Sequence, residues 1–314
     1  MRVMSGILSI LIGSAAGSAA GSAAAAASGT QKAIFGYGGS SGGVFLSLTN
    51  LVSNTGVVNA NVTGVGTVRS NLAAASYGTD KALFGYGVVA SLYNITNLVS
   101  NTGVVSADGT GVGTARRDLS AAGYGTDKAI FGYGYAIYGI ASLTNLVSNV
   151  GVVATDTAGV GTARQSLSAA GYGVGKAIFG YGLSSYGTVS MTNLVSNVGV
   201  VATDTAGVGT ARQSLSAASY GTDKAIFALS DSNAKINLVS NTGVVAADVT
   251  GVGTVRGGSA AAGYGADKAI FGYGNSGSPL SMTNLISNTG VMSADVTGVG
   301  TARYFLAAAG YSLT

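Results

Sequence analysis

The sequence predicts an all-β fold, a six-bladed β-propeller with four-stranded blades in which a C-terminal strand closes blade one. Three observations predict it. Distinctive strings recur six times at a near-constant spacing. Each repeat divides into four short runs, two of them joined by tight turns. The first repeat lacks the small-residue run that opens the others, and the sequence finishes on a spare copy of that run.

Self-similarity at a fixed period decides an architecture before any local signal does. The string KAIFGYG, or a close variant, begins at Lys32, Lys81, Lys128, Lys176, Lys224 and Lys268, 44–49 residues apart. NLVSN or a variant begins at Asn50, Asn97, Asn145, Asn193, Asn237 and Asn284. GVGTAR or GVGTVR ends at Arg69, Arg116, Arg164, Arg212, Arg256 and Arg303. These markers fill residues 30–314 and leave no room for a second domain.

Residues 166–212 illustrate one unit. Residues 166–172 are small and apolar, suited to crowding near a central axis where larger side chains would clash. A Gly-Val-Gly turn follows, Gly-Thr-Asp in three other repeats. Residues 176–182 carry Ile178 and Phe179 in a strand-like run. After a variable stretch, residues 190–196 are β-branched and apolar. Asn197-Val198-Gly199, Asn-Thr-Gly in four repeats, offers a glycine for positive φ. Residues 200–205 form the fourth run, and Gly-Val-Gly-Thr leads into the next unit. Four strands in about 48 residues fit a propeller blade. Solenoids usually need distinct end caps, and none is visible. The final run, residues 304–311, is the piece missing from the first unit. Joining the two would remove exposed sheet edges.

Composition removes whole classes of chemistry. The chain has no His, Cys or Trp, and every acidic residue is Asp. Cys and His metal sites, thiol nucleophiles and the usual neutral-pH general base are thereby excluded. Any enzyme would have to rely on Asp, Tyr and Lys, so the expectation is a non-enzyme without cofactor or metal. The net charge is +4, but most basic residues fall singly at two repeat positions and form no nucleic-acid-binding stripe.

Residues 1–29 stand apart. After Arg2 comes an apolar run, then a Gly/Ala/Ser tract without charge. Three readings stay open: a docking peptide for a larger particle, a secretory signal, or a membrane anchor with a small-xxx-small ladder at Gly13, Gly17 and Gly21.

The order of Arg, small-apolar strand, Asp-Lys-Ala-Ile-Phe-Gly-Tyr-Gly, variable loop and Thr-Asn-Leu-Val-Ser-Asn resembles kelch-type propeller repeats. Gly-Tyr-Gly stands where kelch has paired glycines, and the kelch Trp is missing. The wording DKAIFGYG…TNLVSNTGVVATDTAGVGTAR also resembles tandem repeats of structural or fibre-like proteins of marine bacteriophages. That resemblance covers residues 32–314 and implies a virion-associated role in attachment or decoration, with residues 1–29 contacting other virion proteins. The alternative is a secreted or surface-anchored bacterial lectin.

The six repeat arginines would either ring a channel mouth or pair structurally with the Asp eight residues earlier (Asp108–Arg116, Asp156–Arg164, Asp204–Arg212, Asp248–Arg256 and Asp295–Arg303), with Asn61 in the first unit. The structural reading is preferred. Asp-Lys neighbours such as Asp127-Lys128 read as turn and edge chemistry, because neighbours on a strand point to opposite faces. Gly-Val-Gly-Thr is no phosphate loop, since no helix or Lys follows at the required spacing. The variable stretches (residues 39–46, 88–94, 135–141, 183–189, 228–235 and 275–280) carry the strongest binding signal, because specificity sits in loops on a rigid scaffold. Their aromatics Phe45, Tyr93, Tyr135, Tyr138 and Tyr186 suit a glycan or receptor. These stretches are expected on one face with the Gly-Val-Gly-Thr links. The uniform Asn-Thr-Gly and Gly-Thr-Asp turns are expected on the other, suited to stacking on a symmetric neighbour such as a second copy.

Overall fold

The computed structural model describes residues 30–314. The expectations for residues 1–29 lie outside the described residues. The described chain is all-β, with one three-residue 3-10 turn at Ser41–Gly43. Six antiparallel sheets of three strands repeat one pattern. Unit 2 is typical: Ala73–Tyr77, Lys81–Val88 and Leu92–Val99, with the second strand in the middle. The inner strands of units 3–6 are Ser120–Tyr124, Ser168–Tyr172, Ser216–Tyr220 and Ala260–Tyr264.

Unit 1 borrows its inner strand from the far end of the chain. Ala307–Tyr311 pairs with Lys32–Gly36 over their whole length, Lys32 opposite Tyr311 and Gly36 opposite Ala307. The inner strands then touch in a cycle: unit 1 to unit 2, onward through unit 6, and from unit 6 back to unit 1.

The expected fourth strand does not form as a continuous strand. It is attached only by isolated bridges, such as Val195–Val201 and Thr192–Thr205 in unit 4, so each sheet counts three strands. The physical reason is a side chain that stands in for the ladder. Asn193 Nδ2 donates to Ala202 O at 3.0 Å and to Asp204 Oδ1 at 2.9 Å, bonding the outer segment without a continuous backbone ladder. Asn97 and Asn145 do the same in their units.

The core lies between units rather than within them. Each of six buried clusters draws its members from two neighbouring units, and one joins Ile270 and Tyr273 of unit 6 to Phe35 of unit 1. The repeat Phe packs edge-on against the repeat Tyr of the preceding unit, as in Tyr133–Phe179 with centroids 5.2 Å apart and Tyr273–Phe35 at 5.1 Å. Such pairs add about 0.5–1.5 kcal/mol beyond buried area. In five units a glycine follows the Phe and leaves room for this contact: a Cβ at Gly132 would stand 2.7 Å from the Phe179 ring. Unit 5 departs from the pattern, with Ala228 and Leu229 in place of Gly and Tyr.

Candidate functional site: the varied mouth

All six repeat arginines are buried. Arg69 shows their role: Nε donates to Tyr86 O at 2.7 Å, Nη1 to Thr67 O at 2.9 Å and Nη2 to Asn97 Oδ1 at 2.6 Å. Its guanidinium lies 4.4 Å from the centroid of the Tyr37 ring, in the preceding unit. Burial pushes Tyr37, Tyr86 and Tyr181 up to about 12, against the neighbouring arginine charge, so these phenols stay neutral donors.

The expected Asp–Arg pairing is wrong by one unit. Arg69 faces Asp108 at 3.9 Å, Arg116 faces Asp156 at 3.5 Å and Arg256 faces Asp295 at 3.5 Å. Each Asp clamps the link that enters its own unit: Thr67 N donates to Asp108 Oδ2 at 3.0 Å and Thr67 Oγ1 at 2.7 Å. The Arg eight residues after an Asp has already crossed to the next unit. Partial burial works to raise the Asp108 carboxyl, but hydrogen bonds from Thr67 and Asn97, with the Arg69 charge, lower it overall. In unit 1, Asn61 takes the Asp position and clamps the closing link, donating to Thr301 Oγ1 at 2.8 Å. Asp and Lys neighbours do not point apart, because the Asp sits in a turn: Lys128 Nζ lies 3.0 Å from Asp127 Oδ1. These exposed pairs contribute little.

A passage runs along the inner strands. Cavities of about 80, 110 and 220 Å³ follow one another from Asn71 and Leu72 to Tyr77 and Thr79, each lined by all six units. At the wide end lie the uniform turns. Gly78 N donates to Asp127 O at 2.7 Å, and equivalent bonds join the five turns into a cycle that passes through Gln31 and Ser312 in unit 1, which has no turn there. The Asn-Thr-Gly turn lies beside them, with Asn101 Nδ2 donating to Asp80 Oδ2 at 3.1 Å.

At the narrow end the residue after next from each repeat Arg forms a second cycle. The amides of Asn71, Asp118, Ser166, Ser214, Gly258 and Phe305 each donate to the carbonyl of the preceding member, and Asn71 closes onto Phe305 O at 2.8 Å. All six have φ between 50° and 61°. The variable stretches start beside this cycle, through bridges such as Arg117–Tyr135, Gln165–Leu183 and Gly257–Asn275.

The five sequence-selected aromatics all lie on these stretches, in different settings. Tyr138 and Tyr186 are 99% and 96% exposed, at the tips of hairpins built from Tyr135–Ala136 with Gly139–Ile140 and Leu183–Ser184 with Gly187–Thr188. Tyr135 is half-buried under the Arg117 guanidinium, 4.9 Å from its ring centroid. Phe45 and Tyr93 are half-buried. No two of these five rings stack on each other among the described residues.

Sequence reasoning missed the mouth itself. The two residues after each repeat Arg (Ser70-Asn71, Arg117-Asp118, Gln165-Ser166, Gln213-Ser214, Gly257-Gly258 and Tyr304-Phe305) vary as freely as the loops. Subtracting the repeat would have found them. Among the described residues, the charges left over are Arg117, Asp118, Asp231 and Lys235, every one on a variable stretch or at the mouth. Asp118 is held by the Asn71 amide and lies 3.1 Å from Arg117. Burial nevertheless pushes its carboxyl up. No group of three acids that could hold a metal occurs among the described residues. The mouth offers aromatic faces, amides, hydroxyls and a few charges, of which Arg117 and Asp118 pair with each other and Lys235 with the repeat Asp248, a set suited to recognition.

No protein-family model matches the chain, and no curated protein matches it.

Proposed function

We propose that the chain is a six-bladed β-propeller acting as a non-enzymatic binding and structural module of a virion, with its varied face turned to a host-surface glycan or receptor. The single observation that carries this reading is the contrast between the two ends of the passage. One end repeats the same turns around six units. The other gathers the variable loops, the varied dipeptides and the charges that the repeat does not use. A uniform end suits stacking on a symmetric neighbour, and a varied end suits one specific ligand. Virion membership rests on the repeat wording alone; detecting the chain in purified particles by mass spectrometry tests it.

The face assignment has its own test. Replacing Tyr138 and Tyr186 together by Ala is expected to reduce binding of the labelled protein to a printed glycan array at least severalfold. The melting temperature should stay close to the parent's, because exposed substitutions usually change stability within about 0.5 kcal/mol. Unchanged array binding by this variant, with loss on substituting the Asn-Thr-Gly turns, would reverse the assignment of faces.

A further inference from the structure

The repeat leaves one cleft unexplained. Between units 5 and 6 the link after the repeat Arg carries Gly257-Gly258, where units 1–4 carry side chains. Both glycines are needed locally. A Cβ on Gly257 would stand 2.8 Å from Asp231 Cβ, and one on Gly258 would stand 2.6 Å from the Phe305 ring, at a φ of +61°. The bare link therefore lets the unit 5 loop and the closing Tyr304-Phe305 pair approach the same spot. They line an open cleft of about 390 Å³ beside the mouth, within the roughly 300–1,000 Å³ usual for small-molecule sites.

Its walls are chemically mixed. Tyr304 is backed by Gly39, whose added Cβ would meet the ring at 3.3 Å, and meets Phe305 at 5.2 Å between centroids with planes 60° apart. The ring is thus held in place with part of its surface lining the cleft. Asp231 accepts one hydrogen bond, from Gln213 Nε2 at 3.2 Å, and is otherwise exposed. Asn275, Ser276 and Ser214 complete the polar wall, and no Lys or Arg lines the cavity. A fixed aromatic surface, one carboxylate, one amide and two serine hydroxyls match a ring that presents C–H groups on one side and hydroxyl donors at its edge. A carboxylate without a cation repels an anionic sugar.

We infer that this cleft binds one neutral pyranose residue of a glycan, stacked on Tyr304 with its hydroxyls donating to Asp231. The inference rests on the reading that the varied face recognises a glycan, and it names the subsite and the charge class of the sugar.

The experiment is a saturation-transfer NMR titration of the full chain with the methyl glycosides of glucose, galactose and mannose, and with methyl glucuronide. At least one neutral glycoside is expected to bind, and the glucuronide to bind about tenfold more weakly or worse. Tyr304→Ala and Asp231→Asn should each weaken the neutral glycoside about tenfold, the scale of a lost stacking surface or charge-assisted hydrogen bond. Tyr304→Phe should retain binding, which separates stacking from misfolding. Val198→Ser, in an exposed turn at the uniform end, should leave monosaccharide affinity unchanged, and the Tyr138→Ala/Tyr186→Ala hairpin variant serves to locate any binding outside the cleft. If a neutral glycoside binds but is indifferent to Tyr304→Ala and Asp231→Asn and lost in the hairpin variant, the cleft is wrong and the glycan-binding face stands. Preference for the glucuronide overturns the charge argument and with it the site. No binding of any glycoside, together with a blank glycan array, overturns both.

Discussion

Deleting residues 303–314 is expected to abolish the monomeric native state, leaving an unfolded or oligomeric chain. The segment supplies the whole inner partner of Lys32–Gly36, which keeps only Thr49–Val52 on its other side. It also belongs to two cores at once. Leu306 and Ala308 pack with unit 6, while Ala307, Ala309 and Tyr311 pack with unit 2. Arg303 goes with it, and its guanidinium bonds Tyr37 O at 3.0 Å, Leu48 O at 2.6 Å and the Asn50 side chain. Each large apolar side chain removed costs about 1.5–3 kcal/mol. Stranding the buried partners of Arg303 costs about 3–5 kcal/mol more. The total approaches the roughly 5–15 kcal/mol that holds a typical native state. The exposed edge of Lys32–Gly36 would also be free to pair with another chain. Light scattering after gel filtration, with a circular-dichroism melt, reads the result. A monomer with an unchanged melting temperature would contradict it.

The second large effect is expected from Arg69→Met. Methionine keeps much of the stem volume and removes the guanidinium. Four buried or half-buried partners then lose their donor or their cation: Tyr86 O, Thr67 O, Asn97 Oδ1 and the Tyr37 ring. Breaking one partner of a buried charged network costs about 3–5 kcal/mol. Arg116→Met should cost less, because Arg116 Nε has no partner in the native state whereas Arg69 Nε is satisfied. Denaturant unfolding of both variants checks the size and the order; equal, small losses would show that the arginines do not staple neighbouring units.

Much of this was legible because the repeat is so regular. The strings starting at Lys32 and ending at Arg303 gave the unit count, and the spare run at residues 304–311 pointed to its place beside Lys32. What stayed hidden depends on contacts between units. The Asp eight residues before an Arg looks like its partner, yet Asp108 turns back to Thr67 while Arg116 has moved on to Asn145. No spacing rule within one unit reveals that offset. The fourth run reads as a strand by its valines, but Asn193 takes over its bonding from the side. The mouth was overlooked for a different reason. Asn71, Asp118, Ser166 and Phe305 share no residue type, so they look like noise until one backbone cycle is seen to hold them all.

The claim on which the rest depends is that one chain closes on itself through Lys32–Gly36 and Ala307–Tyr311. Ile34 and Ala309 face each other across that ladder. Replacing both by Cys roughly conserves their combined volume, and the parent contains no Cys to interfere. Facing strand positions bring Cβ atoms to about 4.5–5.5 Å, near the reach of a disulfide. Mild oxidation of the dilute, purified Ile34→Cys/Ala309→Cys protein should give a monomer with no free thiol and faster migration on a non-reducing gel, reversed by reductant. Disulfide-linked dimers, or two thiols that stay free in a folded monomer, would contradict closure.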